Sequence, residues 1–233
     1  MTIPGKDPEA IREMFDSIAE RYDLMNRLIT YGRDRAWRRQ LVRAAALPPC
    51  GRLLDLGAGT GDVASEALRR HPDLSLDVAA DLSEPMLRAG ARRPGAKPIQ
   101  RCLADALELP FADASFDAVT SAYLARNVPD VGQMFREQAR VVRPGGRVVC
   151  LDTTPPPGGP LAPLVALQLR VVIPLLGRLV AGNAAAYRYL PASTRAFLDP
   201  EALAGQMRQA GLVEVSHRTF MLGTQALHVG RRP

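Results

Sequence analysis

The sequence predicts an α/β fold in which a mostly parallel sheet carries helices on both faces. Between residues 51 and 151, short apolar runs alternate with segments of helical periodicity. One of these runs, at 53–56, passes directly into a glycine-rich turn, and acidic side chains recur where successive runs end. Such alternation is typical of βα units, and a chain of 233 residues is long enough to bury the core of one domain.

The elements are predicted in chain order from apolar spacing and from helix breakers. Residues 8–47 form helices with Ile11, Phe15 and Ile18 at helical spacing, and Pro48-Pro49 ends them. The predicted strands are 52–56, 76–80, a less sharply defined one at 97–101, 116–121, 148–151, 213–217 and 226–229. The later predicted helices are 60–70, one capped by Ser83, one ending before Pro144, and 200–210.

The glycine-rich turn is the most informative motif. Its three glycines stand at alternate positions, Gly57, Gly59 and Gly61. Glycine allows a tight turn and a close approach of the backbone to a ligand. The helix expected to open at about Thr60 has free N–H groups that can receive an anion. A dinucleotide fingerprint would need glycine where Asp62 stands, so the spacing favours S-adenosylmethionine. A turn that merely joins strand to helix is the alternative.

Acidic residues at two further strand ends support the binding of a nucleoside. Asp81 follows the second predicted strand about twenty residues after the glycines, where a carboxylate can accept both ribose hydroxyls. Asp105 follows the third strand, at a position that suits the adenine amino group. Each residue alone could be a helix cap or a solvated charge. Together with Asp55 they recur at one edge of the sheet, which favours a cofactor site.

Several segments resemble class I S-adenosylmethionine-dependent methyltransferases. They are the glycine turn, Asp-Leu-Ser-Glu-Pro-Met-Leu at 81–87, Leu-Pro-Phe at 109–111 with Ser-Phe-Asp at 115–117, and Arg-Pro-Gly-Gly at 143–146. A narrower resemblance, to the ubiquinone/menaquinone-biosynthesis C-methyltransferases, rests on residues 15–26, 125–128 and 187–193. The similarity extends over residues 13–230. The Tyr-Asp-x-x-Asn and Arg-Asn elements within it are more specific than the general methyltransferase motifs.

The resemblance implies a Rossmann-like core with a seven-stranded sheet, S-adenosylmethionine as the cofactor, and a set of site residues. The expected cofactor-binding residues are Asp55, Gly57, Gly59, Thr60, Gly61, Asp81, Leu82, Asp105, Ala106 and Ala122. The expected catalytic residues are Tyr22, Asp23, Arg126 and Asn127. Arg126 is expected to stabilise charge or to orient a water, and Asn127 to hydrogen-bond a quinol oxygen. A hydrogen-bonded pair that only stabilises the loop is the alternative for both. Asp55 is expected to organise the cofactor loop rather than to act as a base.

The domain organisation is expected to be one compact unit with two helical additions. Residues 1–47 form an N-terminal helical lid, and residues 48–152 with 196–233 form the core. Residues 153–195 form an apolar helical insertion that acts as a substrate lid, although an ordinary pair of core helices is the alternative. Arg170, Pro174 and Arg178 interrupt its apolar run, which argues against a membrane span.

Composition restricts the cellular setting and the partners. The cysteines, Cys50, Cys102 and Cys150, and the histidines, His71, His217 and His228, lack metal-binding or disulfide spacing. Each cysteine is expected to be a small buried apolar residue. The N-terminus lacks a signal peptide, which predicts a cytoplasmic protein. Five arginines, Arg33, Arg35, Arg38, Arg39 and Arg43, crowd one early helix. These arginines either lie on a solvated face of the helix or attract the chain weakly to anionic lipid at the inner face of the membrane. Aromatic residues are too few for a nucleic-acid surface.

The predicted function is C-methylation of a polyprenylated quinol, either a demethylmenaquinol or a ubiquinol precursor. One departure from the family pattern, Ala122-Tyr123-Leu124-Ala125 before the Arg-Asn pair, leaves other substrates open. They include an unrelated small molecule and a phospholipid headgroup. A non-catalytic scaffold subunit that binds S-adenosylmethionine is the alternative from another class. The sequence leaves the oligomeric state open, a homodimer included.

Overall fold

The computed structural model describes residues 8–155, 158, 167, 171, 189 and 192–233. Its centre is a seven-stranded sheet in the order β3-β2-β1-β4-β5-β7-β6. The strands are β1 Arg52–Leu56, β2 Leu76–Asp81, β3 Gln100–Leu103, β4 Phe116–Ala122, β5 Val142–Thr153, β6 Val213–Phe220 and β7 Gln225–Arg231. Strands β1 to β5 are parallel, and β7 runs antiparallel to β5 and β6. The predicted fold class is therefore confirmed.

Helices cover both faces of this sheet. Those that lie wholly among the described residues are α1 Pro8–Ile18, α2 Tyr22–Ile29, α3 Asp34–Ala45, α4 Asp62–Arg70, α5 Glu84–Ala91, α6 Val131–Val141 and α7 Pro200–Gln209. On one face, Leu54 and Leu56 of β1 share a core with Phe135 of α6 and Met207 of α7. On the other face, Leu53 packs in a core with residues of α3 and α4. Strands buried on both sides read as nearly continuous apolar runs, which explains why the sequence located them.

The strand order reverses next to β1. From β1 the chain crosses to β2 and β3 on one side, and then returns to β4 on the other. In an open sheet of this kind, a crevice forms outside the carboxyl ends of the strands where the order changes. The ends of β1, β2 and β4, at Leu56, Asp81 and Ala122, therefore meet at one edge. This edge holds the candidate site.

Several element boundaries differ from those predicted, most clearly those of α4, β3 and β5. Helix α4 begins at Asp62 rather than Thr60, because Gly59 and Gly61 have φ angles of 55° and 80°. Strand β3 begins only at Gln100, since Pro98 has no N–H for a strand ladder. Strand β5 begins at Val142 rather than at residue 148 and so includes Gly145 and Gly146, with a register shift against β4.

The structure also tests the expectations for the N-terminal helices, for the arginine-rich helix and for the cysteines. Of the predicted lid at 1–47, helix α3 packs against the sheet through its buried Trp37 and Leu41. Arg38 of the arginine-rich helix is buried rather than solvated. Cys150 is buried and Cys102 is half-buried, but the expectation that Cys50 is buried is wrong. Cys50 lies in the turn before β1, where its amide donates to the exposed Asp73.

The predicted insertion at 153–195 falls almost wholly outside the described residues. Among the residues that the structure describes, no helix is long and apolar enough to cross a bilayer. Within those same residues, no group of three histidine, cysteine or acidic side chains is arranged to hold a metal ion.

Candidate active site

A pocket of about 840 Å³, including its mouth, lies at the edge of the sheet where the strand order reverses. Strands β1, β2 and β4 contribute Leu56, Asp81 and Ala122 to its wall, and Ile11 and Phe15 of α1 also line it. Its volume is in the range of ordinary small-molecule sites. Nine of the predicted site residues line this pocket: Tyr22, Gly57, Gly59, Asp81, Leu82, Asp105, Ala106, Ala122 and Asn127. The remaining five, Asp23, Asp55, Thr60, Gly61 and Arg126, do not.

The glycine turn forms a wall that side chains would obstruct. A Cβ at Gly59 would lie 3.2 Å from Met86 Cε, and one at Gly57 would lie 2.9 Å from Leu124 Cβ. Both glycines also have positive φ angles, 66° at Gly57 and 55° at Gly59. No side chain therefore covers the backbone of the turn where it lines the pocket, so a ligand can approach that backbone closely.

Asp81 holds the glycine turn and the start of α5 together. Its Oδ2 accepts a hydrogen bond from the Gly59 amide at 2.7 Å, and its Oδ1 accepts one from the Ser83 amide at 2.8 Å. Burial raises the pKa of this carboxyl, although the backbone amides oppose that shift. Each oxygen accepts one amide and retains a further lone pair, so the side chain can still accept from ligand hydroxyls.

The far wall of the pocket is formed by the loop after β3. Asp105 is exposed, and its Oδ1 accepts a hydrogen bond from the Leu107 amide at 2.8 Å. Ala104 and Ala106 are small and buried beside it. The result is a narrow apolar wall with one carboxylate at its edge, which suits a flat ring that bears an amino group.

Asp55 lies behind the glycine turn, where it lines a smaller adjacent cavity with Tyr22, Tyr123 and Arg38. Its Oδ1 accepts from the Thr120 hydroxyl at 3.0 Å, whereas its Oδ2 is buried without a partner. Burial raises the pKa of Asp55 to about 7. A buried carboxylate oxygen without a donor is costly, so it is a strong candidate to receive a cationic ligand group.

Asp23 joins a chain of charged contacts on the glycine turn. Its Oδ1 accepts from the Thr60 hydroxyl at 2.7 Å. The Arg93 guanidinium donates to the Thr60 carbonyl at 3.1 Å and pairs with Asp62 at 2.5 Å. Asp62 also pairs with the buried Arg38 at 2.5 Å. Sequence reasoning missed Arg93 and Arg38 as parts of the site. Asp62, noted only as a departure from the dinucleotide motif, was the available signal.

Arg126 and Asn127 form a short 3₁₀ turn after β4 and make different contacts. Arg126 Nη1 pairs with the equally buried Asp152 of β5 at 2.6 Å, and Arg126 Nε has no partner. Asn127 Nδ2 donates to the Tyr123 carbonyl at 2.9 Å, and Asn127 Oδ1 accepts from the Tyr189 hydroxyl at 3.1 Å. These contacts give both residues a structural role in the loop. One Nδ2 hydrogen of Asn127 remains for a ligand in the pocket.

Tyr123 is the residue that sequence reasoning noted only as a departure from the family pattern. It has a left-handed backbone with φ of 63°, and its buried hydroxyl has no partner. The Arg126 guanidinium carbon lies 5.4 Å from the centroid of its ring. The next residue, Leu124, occupies the space above Gly57. A strained backbone and an unpartnered hydroxyl are features that concentrate at functional sites.

Three tyrosines report the electrostatic influence of Arg126. Burial raises the pKa of Tyr22, Tyr123 and Tyr189, and the positive charge of Arg126 opposes that shift at all three. The charge therefore acts on phenol groups in and beside the pocket. The charge of Arg126 would act in the same sense on a ligand hydroxyl bound among them, against the burial that raises the pKa of all three phenols.

The residues present fit S-adenosylmethionine. The bare glycine turn allows close approach, Asp81 retains lone pairs for ribose hydroxyls, and Asp105 stands beside an apolar slot for adenine. The unpartnered oxygen of Asp55 suits the ammonium group of the amino-acid part. Carboxylates on both sides of the turn also suit a ligand that carries a net positive charge.

The strand order and this pocket define a class I S-adenosylmethionine-dependent methyltransferase. Among solved structures, a chain in a Haloferax volcanii complex of the Trm112 methyltransferase activator with a methyltransferase superimposes with a TM-score of 0.67 at 18% identity, over 94% of this chain and 97% of that one. An S-adenosylmethionine-dependent methyltransferase from Thermotoga maritima gives a TM-score of 0.66 at 16% identity, over 96% of this chain and 100% of that one. These likenesses support the fold alone.

Sequence comparison narrows the class to a family. The chain belongs to the ubiE/COQ5 methyltransferase family, whose model matches residues 4–232. It is 46% identical to the ubiquinone/menaquinone biosynthesis C-methyltransferase UbiE of Desulfotalea psychrophila, over 94% of this chain and 89% of that protein. It is 45% identical to the demethylmenaquinone methyltransferase of Thermus thermophilus, over 94% of this chain and 100% of that protein.

Proposed function

We propose that the chain transfers a methyl group from S-adenosylmethionine to a ring carbon of a polyprenylated quinol in quinone biosynthesis. The names of the relatives from Desulfotalea psychrophila and Thermus thermophilus support a quinol substrate, and the second favours a demethylmenaquinol over a ubiquinol precursor. The observation that carries the proposal most directly is geometric, since Tyr22, Asp81 and Asn127 line one pocket at the edge of the sheet where the strand order reverses.

The proposed cofactor contacts follow from the pocket walls. Asp81 accepts from the ribose hydroxyls, and Asp105 accepts from the adenine amino group. Leu82, Ala106 and Ala122 provide apolar surface around them. Thr60 acts indirectly, because its contacts with Asp23 and Arg93 fix the backbone of the glycine turn. Gly61 supplies the left-handed backbone, with φ of 80°, from which α4 begins.

The proposed chemistry rests on ionising the quinol. S-adenosylmethionine supplies an electrophilic methyl group on its sulfonium sulfur. A quinol ring carbon becomes a strong nucleophile when a ring hydroxyl gives up its proton to solvent, and the positive charge of Arg126 favours that ionised form. After the ring carbon gains the methyl group, it loses its own proton to solvent, which restores the aromatic ring. The remaining Nδ2 hydrogen of Asn127 can donate to the same oxygen. Because Arg126 keeps its own proton at neutral pH, it acts by charge and not as a base.

Tyr22 is proposed to orient the ring and to exclude water. It lines both the main pocket and the adjacent smaller cavity, and its ring meets the Phe15 ring edge-on at 6.0 Å between centroids. Helices α1 and α2 thus bring two aromatic rings over the glycine turn. Holding two reactants in line within such an enclosure can supply several kcal/mol of the barrier reduction. The Tyr189 contact with Asn127 supports a role for this tyrosine beside the pocket.

A direct assay tests the proposal. The purified chain is incubated with S-adenosylmethionine and a chemically reduced, short-tailed demethylnaphthoquinol, and the product is identified by mass and by the position of the new methyl group. We expect methylation at ring carbon and no reaction with the oxidised quinone, which lacks an ionisable hydroxyl. The matching demethylbenzoquinol, assayed in parallel, ranks the two quinol classes.

Three results would contradict the proposal. Methylation on oxygen would show that the ring is not held for attack by carbon. Methylation of a phospholipid headgroup but not of either quinol would assign the chain to another substrate. Tight cofactor binding without turnover on any of them would favour a scaffold subunit. The quinone profile of cells that lack the protein provides an independent check, since a demethylated quinone should accumulate.

A further inference from the structure

A second apolar surface lies on the outer side of α2. Leu24 and Leu28 are one helical turn apart, and Tyr31 follows after nearly one turn more. Their exposed fractions are 50%, 38% and 67%. The opposite side of the helix carries the buried Met25 and the pocket residue Tyr22. Leu24, Leu28 and Tyr31, here named the α2 surface, thus form a stripe that no described part of the chain covers. Clustered exposed apolar residues mark an interaction site.

The exposed charges around this stripe are almost all positive. Between residues 20 and 43, the exposed acidic side chain is Glu20, and the exposed basic ones are Arg21, Arg27, Arg33, Arg35, Arg39 and Arg43. The other two acidic residues in this stretch are engaged inside the fold. Asp34 is buried against Arg38, and Asp23 accepts from Thr60. The α2 surface therefore belongs to a strongly basic segment of a chain whose net charge is +6.

We propose that the α2 surface docks on an anionic phospholipid bilayer. Leucines on one side of a basic helix enter the boundary between headgroups and acyl chains, and arginines at their flanks meet the anionic headgroups. A tyrosine such as Tyr31 is suited to the same depth, because its ring is apolar and its hydroxyl is polar. Charge complementarity selects an anionic partner, and the apolar stripe selects a lipid surface over a nucleic acid.

Docking on α2 would place the pocket beside the lipid. Helix α2 carries Tyr22 into the pocket on one side and presents Leu24 and Leu28 on the other. This part of the inference rests on the proposed function, because a polyprenylated quinol is dissolved in the bilayer. The docking surface itself rests only on exposure and charge.

Vesicle sedimentation with the full chain tests the surface. We expect binding to vesicles of phosphatidylcholine mixed with phosphatidylglycerol that is at least ten-fold tighter than binding to phosphatidylcholine alone, and that weakens at high salt. The double variant Leu24→Ser with Leu28→Ser should lose at least ten-fold in binding to the anionic vesicles. The matched control is Leu222→Ser, which removes a leucine that is 52% exposed in the turn between β6 and β7. It should bind as wild type does.

A second variant keeps the test decisive if the first one misfolds. Arg27→Glu with Arg33→Glu reverses two exposed charges and should also abolish binding to anionic vesicles. Unchanged binding in a folded form of either variant would overturn the proposal, as would equal binding to neutral vesicles. Ultracentrifugation in which the leucine variant turns a dimer into a monomer, with vesicle binding unaffected, would assign the surface to a second copy and overturn it too.

Turnover separates this inference from the proposed function. On a water-soluble short-tailed quinol, wild type and both variants should be equally active, since no α2-surface residue lines the pocket. On a long-tailed quinol in anionic vesicles, both variants should be at least ten-fold slower. If neither the wild-type protein nor either variant methylates the soluble quinol while vesicle binding changes as expected, the proposed function is wrong and the docking surface is still supported.

Discussion

The Thr60 hydroxyl donates a hydrogen bond to Asp23 at 2.7 Å, which joins the glycine turn to helix α2. Arg93 contacts the same threonine twice, with donor distances of 3.1 Å to its carbonyl and its hydroxyl. Gly59, the preceding residue, is held by Asp81. The shape of the turn therefore depends on both α2 and Arg93. A change in either would be felt by a cofactor that lies against the turn.

The first prediction concerns Arg93. Replacing it with Met keeps the length of the side chain but removes its contacts to Thr60, Asp62 and Asp23. We expect the dissociation constant for S-adenosylmethionine to rise by about ten-fold. This is slightly less than the loss of one charge-assisted hydrogen bond would cause in a buried site, because Arg93 is partly exposed to solvent. Calorimetry measures the dissociation constant. At saturating cofactor, kcat should stay close to wild type.

The neighbouring Arg92 supplies the matched control. Arg92 is exposed, and it lies outside the contacts on Thr60. Arg92→Met should therefore leave cofactor affinity unchanged. Arg93→Lys should restore part of the affinity, because an ammonium group can replace one of the contacts but not the full fork. Equal affinities for Arg92→Met and Arg93→Met would show that the turn does not need Arg93.

The second prediction concerns Asp81. Asp81→Asn keeps one acceptor oxygen, but it loses the charge and one of the two amide contacts to Gly59 and Ser83. We expect affinity for S-adenosylmethionine to fall by ten-fold or more, since each charge-assisted hydrogen bond is worth about 1.5–3 kcal/mol. The control is Glu84→Gln, an exposed carboxylate three residues later. A folded Asp81→Asn protein that binds the cofactor as tightly as wild type would remove Asp81 from the cofactor site.

The third prediction is a pH dependence set by Asp55. Burial raises the pKa of Asp55 to about 7, while the Thr120 hydroxyl and Arg38 oppose the shift, and Asp81 adds to it. A cationic cofactor favours the ionised carboxylate. Binding should therefore strengthen as pH rises through about 7 and weaken below it, with release of a proton. Calorimetry in buffers of different ionisation heat measures both effects.

Asp55→Asn is the variant that isolates this carboxyl. It should remove the change in affinity near pH 7, and it should leave the affinity close to the value that wild type has at low pH. A pH profile that is unchanged in the variant would assign the titration to another group. Asp77 must be left intact in this experiment, because its charge also interacts with Asp55.

The parts of the site that the sequence predicted are local ones. The glycine turn, Asp81 and Asp105 each stand directly after a strand, so their positions follow once the strands are located. The parts that the sequence did not predict depend on contacts between distant segments. Arg93 reaches Thr60 across 33 residues, and Arg126 meets Asp152 across 26. Nothing in the local pattern around an arginine indicates which distant carboxylate it will meet.

The fold shows the same division. Strand existence followed from apolar runs, whereas the boundaries moved where backbone geometry intervened, at Pro98 and at the glycines of the turn. The whole of residues 1–47 was predicted to act as a lid. The structure gives α3 a buried apolar side against the sheet, and it is α1 and α2 that line the pocket. Helical spacing identifies an apolar side but not the element that it packs against.

The fourth prediction separates the structural and electrostatic roles of Arg126. Arg126→Gln leaves Asp152 as a buried charge without its partner, which should cost about 3–5 kcal/mol of stability. The double variant Arg126→Gln with Asp152→Asn replaces the ion pair with a neutral one and should recover most of that loss. If Arg126 favours the ionised quinol, kcat should nevertheless remain at least ten-fold low in the double variant, with cofactor affinity near wild type.

The opposite outcome is equally clear for Arg126. Recovery of both the melting temperature and kcat in the double variant would mean that the ion pair only supports the loop. Asn127→Ser adds a comparison, because it removes the contacts with Tyr123 and Tyr189 without a change in charge. It should lower kcat at pH values where the quinol is neutral more than at high pH.

The last prediction concerns Asp77, which lies on β2 with both oxygens buried and without a partner. Burial, with a smaller contribution from the nearby Asp55, raises its pKa to about 8. An unfolded aspartate ionises near pH 4. Between about pH 4 and pH 8 the folded protein therefore binds more protons than the unfolded one, so its stability falls as pH rises through this range and is lowest above it.

Asp77→Asn removes this titration and should make the protein more stable at alkaline pH. We expect a gain of about 1–3 kcal/mol near pH 9, where wild type must bury an ionised carboxylate, and little gain near pH 5, where it buries a neutral one. Urea unfolding at both pH values measures the difference. Asp73→Asn is the control, since Asp73 is an exposed carboxylate and its pKa is lowered by the Cys50 amide. That variant should instead lose stability as its amide contact weakens. Equal effects of Asp77→Asn at pH 5 and pH 9 would show that Asp77 does not ionise in the folded protein.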